Sequence, residues 1–190
     1  MRLVIFGVLV VSLLAGAAPT AQAQGFISPL IGYNFGGDAG CPKITNCQDK
    51  KLNAGVALGA MNSVLGFEEE FAYAKNFFGD APNLNSSVLT VMSNFMIVPA
   101  IGPVRPYVLA GIGLIKTHID FTTSSIFTSD NNNLGWDVGG GLMIFPVEHV
   151  GIRGDIRYIH AFQDLKIQGL TVSDMKLDFG RASGAVVFRF

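Results

Sequence analysis

Arg153, Asp155 and Arg157 stand at alternate positions, as do Glu68 and Glu70. Alternate residues of a β-strand share a face, so each set would show its charges to one side, where guanidinium and carboxylate groups pair through charge-assisted hydrogen bonds. Arg181 adds a further cation, with Ala182 and Val186 on the opposite parity. Glu68, Glu70 and Asp155 thus face Arg153, Arg157 and Arg181 in equal numbers. Opposed charges of this kind can line an ion pathway or close on themselves as a pairing network. The balance of signs favours the network. Other reactive groups are sparse. His160 has Ile159 and Ala161 as neighbours and no adjacent serine, so no nucleophile and base stand side by side. Cys41 and Cys47 have no nearby histidine with which to build a zinc site. No catalytic, metal or cofactor-binding residue is expected, and the chain reads as a non-enzyme.

The elements that position those ions follow from the rest of the chain. It has 190 residues, enough for one domain, with a formal charge of -1 and no basic run, which excludes a nucleic-acid footprint. Charged residues make up 14% and hydrophobic ones 49%, a poor recipe for a surface that faces water everywhere. Met1-Arg2, the apolar run Leu3 to Ala18 and the small-residue site Ala21-Gln22-Ala23 form a secretory signal. Residues 1–23 are expected to be cleaved, leaving 24–190 as the mature domain. In an oxidising compartment, a disulfide between Cys41 and Cys47 is expected over a pair of reduced thiols.

The mature chain lacks an unbroken apolar stretch of about 18 residues, the length a membrane helix needs. Its nearest approach, Met96 to Ile115, is interrupted by Pro99, Pro103, Arg105 and Pro106. The other structure that crosses a bilayer with every backbone group satisfied is a closed barrel of strands. The expected fold is all-β, an eight-stranded antiparallel up-and-down transmembrane β-barrel. Its strands are expected at Phe26 to Phe35, Leu52 to Met61, Val64 to Lys75, Ser87 to Val98, Val104 to Ile119, Leu134 to Phe145, Val150 to Phe162 and Met175 to Phe190. Long polar connections at 36–50, 76–85, 120–133 and 163–174 alternate with short turns at Asn62-Ser63, Pro99 to Pro103 and Pro146 to His149. Short turns of such barrels face the periplasm and long loops face outward.

A charge at the lipid midplane costs several kcal/mol, so the charged parity should line the lumen. That places Arg153, Asp155, Arg157, Arg181, Arg189 and Asp137 inside, and Trp136, Val138, Leu142, Ile152, Ile156, Tyr158, Phe188 and Phe190 outside. Glu68, Glu69 and Glu70 are consecutive and cannot share a face. Glu68 and Glu70 are expected inside, with Glu69 left on the lipid side. An eight-strand barrel is only wide enough for its own side chains, so the ions are expected to plug the lumen.

The segments Arg105 to Gly113, Gly135 to Gly141 and Gly151 to Tyr158 together resemble the bacterial outer-membrane β-barrel domain, the OmpA/OmpX-type small barrels of the "porin family". The resemblance spans nearly all of Gly25 to Phe190. It implies location in the outer membrane of a Gram-negative cell, contact with outer-membrane lipids and lipopolysaccharide, and a monomer. Phe188 and Phe190, in the terminal Val186-Val187-Phe188-Arg189-Phe190, are similar to the aromatic signal read by the outer-membrane assembly machinery. A structural barrel whose outer loops contact surface or host ligands is the expected role, with a narrow porin-like channel for small or apolar solutes as the alternative. A lipid A-modifying enzyme is the third reading. Small-barrel deacylases use a His/Ser pair near a strand end, and Ala161 beside His160 departs from it.

Overall fold

Side chains that alternate between apolar and polar or small residues need two different surroundings, and a closed sheet supplies them. The computed structural model describes residues 23–37, 39, 52–77, 84–121, 128–167 and 170–190. Within it lie eight strands: β1 (Gln24–Phe35), β2 (Leu52–Met61), β3 (Leu65–Lys75), β4 (Leu84–Ile97), β5 (Val104–Phe121), β6 (Thr128–Val147), β7 (Val150–Ile167) and β8 (Leu170–Arg189). Each pairs antiparallel with the next, and β1 pairs with β8 to close the barrel. No helix among the described residues is long and apolar enough to cross a membrane.

The short turns have local causes. Asn62 accepts hydrogen bonds on its side-chain oxygen from the backbone N–H groups of Val64 (2.8 Å) and Leu65 (2.7 Å), an Asx turn that fixes the β2–β3 hairpin. The β4–β5 turn places Gly102 at φ 62°, a left-handed conformation open to glycine.

The expected up-and-down barrel is what forms, but three of its long loops are shorter than the sequence suggests. β4 begins at Leu84, β5 runs to Phe121, β6 begins at Thr128, β7 runs to Ile167 and β8 begins at Leu170. The ladder continues through Ser87↔His118, Asn85↔Asp120 and Lys116↔Asn132. Thr, Ser and Asn suit turns, but they also suit a strand wetted on both faces, and backbone pairing decides between the two. Asn132, read from sequence as a loop residue, is therefore an exposed position within β6. Residues 1–22, Cys41 and Cys47 lie outside the described residues.

On the outer wall, Ile31, Phe71, Val108, Ile112, Ile152 and Ile156 are exposed and form part of a broad apolar band. Polar groups inside and hydrocarbon outside is the reverse of a water-soluble barrel, and it is the arrangement a bilayer selects.

Candidate functional site

The inward parity of the strands builds a lumen in three layers. At the periplasmic end Phe26, Met61, Met96, Val98, Tyr107, Leu109, Met143, Phe145 and Val187 form one apolar cluster. Toward the outer end a second cluster includes Phe77, Val88, Met92, Ile115, Ile159, Leu177 and Phe179. Phe77 and Phe179 meet there edge to face at 4.8 Å. Between the clusters lie the ions, and Glu68, Glu70, Asp137, Asp155, Arg153, Arg157 and Arg181 are all buried.

Arg157, from β7, is the hub. Its Nη2 lies 2.9 Å from Glu68 Oε1, 2.8 Å from Glu70 Oε2 and 3.3 Å from Asp155 Oδ2, and its Nη1 is 3.6 Å from Asp137 Oδ2. Arg153 pairs with both oxygens of Glu68. Its Nε donates to Asp155 Oδ2 (2.9 Å) and to the Tyr107 hydroxyl (2.6 Å), and that hydroxyl donates to Asp155 Oδ2 at 2.6 Å. Arg181 donates from Nη1 to Glu70 Oε1 (2.9 Å), from Nε to Asn34 Oδ1 (3.2 Å) and from Nη2 to Thr90 Oγ1 (3.2 Å). Ser183 donates to Asp155 Oδ1 at 2.6 Å. With the Asn94 amide turned so that its nitrogen faces Asp137, it donates to Oδ1 at 2.7 Å while its oxygen accepts from Arg157 Nη1 at 3.1 Å.

Aromatic faces seal the layer from both sides. The Arg153 guanidinium lies over the Tyr107 ring, 4.9 Å from its centroid, and that of Arg181 lies 5.6 Å from the Phe179 centroid. At the periplasmic mouth, Arg189 stacks on Phe145 at 4.4 Å and donates from Nε to the Glu148 carbonyl at 3.0 Å. Glycines on the inward parity make the room. A Cβ on Gly141 would lie 2.6 Å from Asp155 Cβ and 2.7 Å from the Tyr107 hydroxyl, and one on Gly139 would lie 2.8 Å from Arg157 Cγ.

All six ions expected in the lumen are brought together there. Asp137, placed inward by its parity, turns out to belong to the same network. Tyr107, Asn94, Asn34, Thr90 and Ser183 were not anticipated as its partners. Parity marks each of them as inward, but which strand positions meet across the lumen depends on register and tilt. Phe188 and Phe190 both lie exposed on the outer wall at the periplasmic end, as expected. Glu69 faces outward and is half-buried, on a β3 without a bulge. Its relief is instead a hydrogen bond from Ser93 Oγ to Glu69 Oε1 at 2.6 Å.

Among the described residues no group of His, Cys, Asp and Glu is arranged to hold a metal. An apolar outer wall around a lumen filled by its own side chains defines an integral outer-membrane barrel of the smallest size class. The chain belongs to the outer membrane protein beta-barrel domain family, whose model matches residues 6–190. Among solved structures, Neisserial surface protein A is similar with a TM-score of 0.65 at 16% identity, over 87% of this chain and 97% of that one. The N-terminal β-barrel domain of Pseudomonas aeruginosa OprF matches with a TM-score of 0.56 at 12% identity, over 89% of this chain and 100% of that one. Ail, the attachment invasion locus protein of Yersinia pestis, matches with a TM-score of 0.53 at 16% identity, over 88% of this chain and 97% of that one. At these identities the likeness is one of fold. Among curated proteins, none matches the chain in sequence. The family places the protein in the outer membrane.

Proposed function

We propose that this protein is a structural and surface-interaction barrel that neither conducts solutes nor catalyses a reaction, delivered by a signal peptide cleaved after residue 23. The observation that supports this reading is the ionic layer held between two apolar layers. A water column would have to separate carboxylates from guanidinium groups at two or three points at once, and eight strands leave no spare width beside them. With the lumen closed, the surfaces left for function are the lipid-facing wall and the outer end. There the strand pairs β5–β6 and β7–β8 reach past the apolar band. Ail, by its name an attachment protein, has also been solved with the heparin analogue sucrose octasulfate. That supports surface or host ligands for the outer loops of this chain too.

The test is planar-bilayer recording of the refolded protein. Wild-type protein should insert without step-like conductance. Stable, large ion-conducting pores would replace this reading with the narrow-channel one.

The same proposal assigns Phe188 and Phe190 to recognition by the outer-membrane assembly machinery, because the outward parity of β8 ends on them. Phe190→Ala should lower the amount of folded, heat-modifiable protein in the outer membrane while leaving passage across the inner membrane unchanged. Normal amounts of folded variant would remove that assignment.

A further inference from the structure

Proline has no N–H to give to a ladder, so within a sheet it is tolerated at edges, at strand ends and at bulges. Pro146 obeys that rule, standing at the bulge between Ile144 and Val147. Pro106 obeys it too. The Pro103 carbonyl accepts from the Phe145 N–H, and bonding alternates along a strand, so Pro106 turns its nitrogen toward β4. There β4 has already stopped, at Ile97 opposite Val108. Pro29 breaks the rule. The Phe190 N–H donates to the Gly25 carbonyl at 2.9 Å, so Ile27, Pro29 and Ile31, at alternate positions from Gly25, are the residues of β1 that bond β8. The β1–β8 pairing runs through Ile27↔Phe188, lapses at the next two positions and resumes at Leu30↔Ala185 in the same register. The missing donor of Pro29, opposite Val186, accounts for the lapse and leaves the Val186 carbonyl without its ladder partner.

Pro29 and Val186 lie in the apolar band, among the exposed side chains of Ile27, Ile31 and Phe188, where an unpaired carbonyl has no water to turn to. On the periplasmic side of the lapse, β1 holds β8 through the ladder positions of Gly25 and Ile27, and among the described residues no side-chain hydrogen bond joins residues 24–28 to β8. The Arg181–Asn34 bond crosses beyond it, toward the outer end. Away from this junction both segments are paired without a break, residues 24–28 with β2, and Val187 and Phe188 with Gly151 and Val150 on β7. Arg189 is likewise held on the side away from β1, by Phe145 and the Glu148 carbonyl. We propose that the periplasmic end of the β1–β8 junction, from Pro29 down, is a built-in point of opening that parts as a small unit while the rest of the barrel stays closed. Segments held by few hydrogen bonds open at a lower free energy than the whole fold. Phe26 and Val187, from the periplasmic apolar cluster, line the slit that results. The ionic layer lies beyond it and stays shut, so the opening leads sideways into the bilayer and not across the membrane.

The test is native-state amide hydrogen exchange, read residue by residue by NMR on the refolded protein in phosphatidylcholine nanodiscs. Heat-modifiability on gels checks that each variant is folded. In wild-type protein the amides of Ile27 and Phe188, which face the junction, should exchange clearly faster than those of Phe26 and Ser28, neighbours at the same depth that bond β2 instead. Pro29→Val restores the donor opposite Val186 and should slow exchange at Ile27 and Phe188 roughly tenfold, the worth of about one backbone hydrogen bond. Pro29→Ala should slow it by a similar factor, which assigns the effect to the N–H and not to the new side chain. Pro106→Val gains an N–H that meets no strand and should leave these amides unchanged. Equal exchange at Ile27 and Phe26 in wild-type protein, unchanged exchange in both Pro29 variants, or equal slowing by Pro106→Val would each overturn the proposal.

Discussion

Replacing Arg157 with alanine should lower the urea midpoint of the protein in lipid vesicles by an amount equivalent to about 3–5 kcal/mol, the range for removing one partner of a buried ion pair. The reason is geometric. Arg157 lies within 3.6 Å of four carboxylates, so its loss leaves Glu68, Glu70, Asp137 and Asp155 facing one another with two guanidinium groups in place of three. Arg153→Ala should be comparably damaging, because it removes the cation that pairs with both oxygens of Glu68, leaving that carboxylate to the already shared Arg157, and leaves the Tyr107 hydroxyl with one partner fewer. Asn132→Ala, at an exposed strand position, is the control and should change stability by less than about 0.5 kcal/mol. Full stability in both arginine variants would mean that the ions are solvated and the lumen is wet.

Gly141→Val should be at least as severe, and for the opposite reason. Its first added carbon would lie 2.3 Å from the Gly154 carbonyl oxygen as well as against Asp155 and the Tyr107 hydroxyl. Neither backbone nor a bonded hydroxyl yields easily, and overpacking alone costs roughly 1–3 kcal/mol. Displacing Tyr107 would also break its bonds with Asp155 and Arg153. The variant should reach the membrane fraction with little heat-modifiable folded form. Gly184→Ala, on the open outer wall where nothing lies within 4 Å of the added carbon, should be tolerated. Equal yields of the two folded variants would show that the lumen is loosely packed.

Which ions enter the lumen could be read from the residues alone. Arg153, Asp155 and Arg157 alternate with Ile152, Ile156 and Tyr158, and a bilayer penalises the other choice of face. Who meets whom could not. Parity says nothing of whether Arg157 reaches Glu68 or Asp137, because that depends on how far each strand is staggered around the barrel. Ser93 was hidden for the same reason: a serine on the outward parity carries no mark until the register sets it opposite Glu69. The start of β6 was misjudged because every residue from Thr128 to Asn133 is polar and most are of types that suit turns, which erases the alternation that betrays a strand.

The ionic layer also bears on how quickly the barrel can come apart. Arg181 on the last strand bonds Asn34 on the first, Glu70 on β3 and Thr90 on β4, so one side chain spans the seam where the sheet closes on itself. None of these partners is within reach while the sheet is open. The layer stabilises the closed state and not the curved sheet that precedes closure. Interactions absent from the transition state act on the rate of unfolding. The seam is therefore a kinetic latch, and its loosening in Arg181→Ala should appear as faster opening with the rate of closure nearly unchanged.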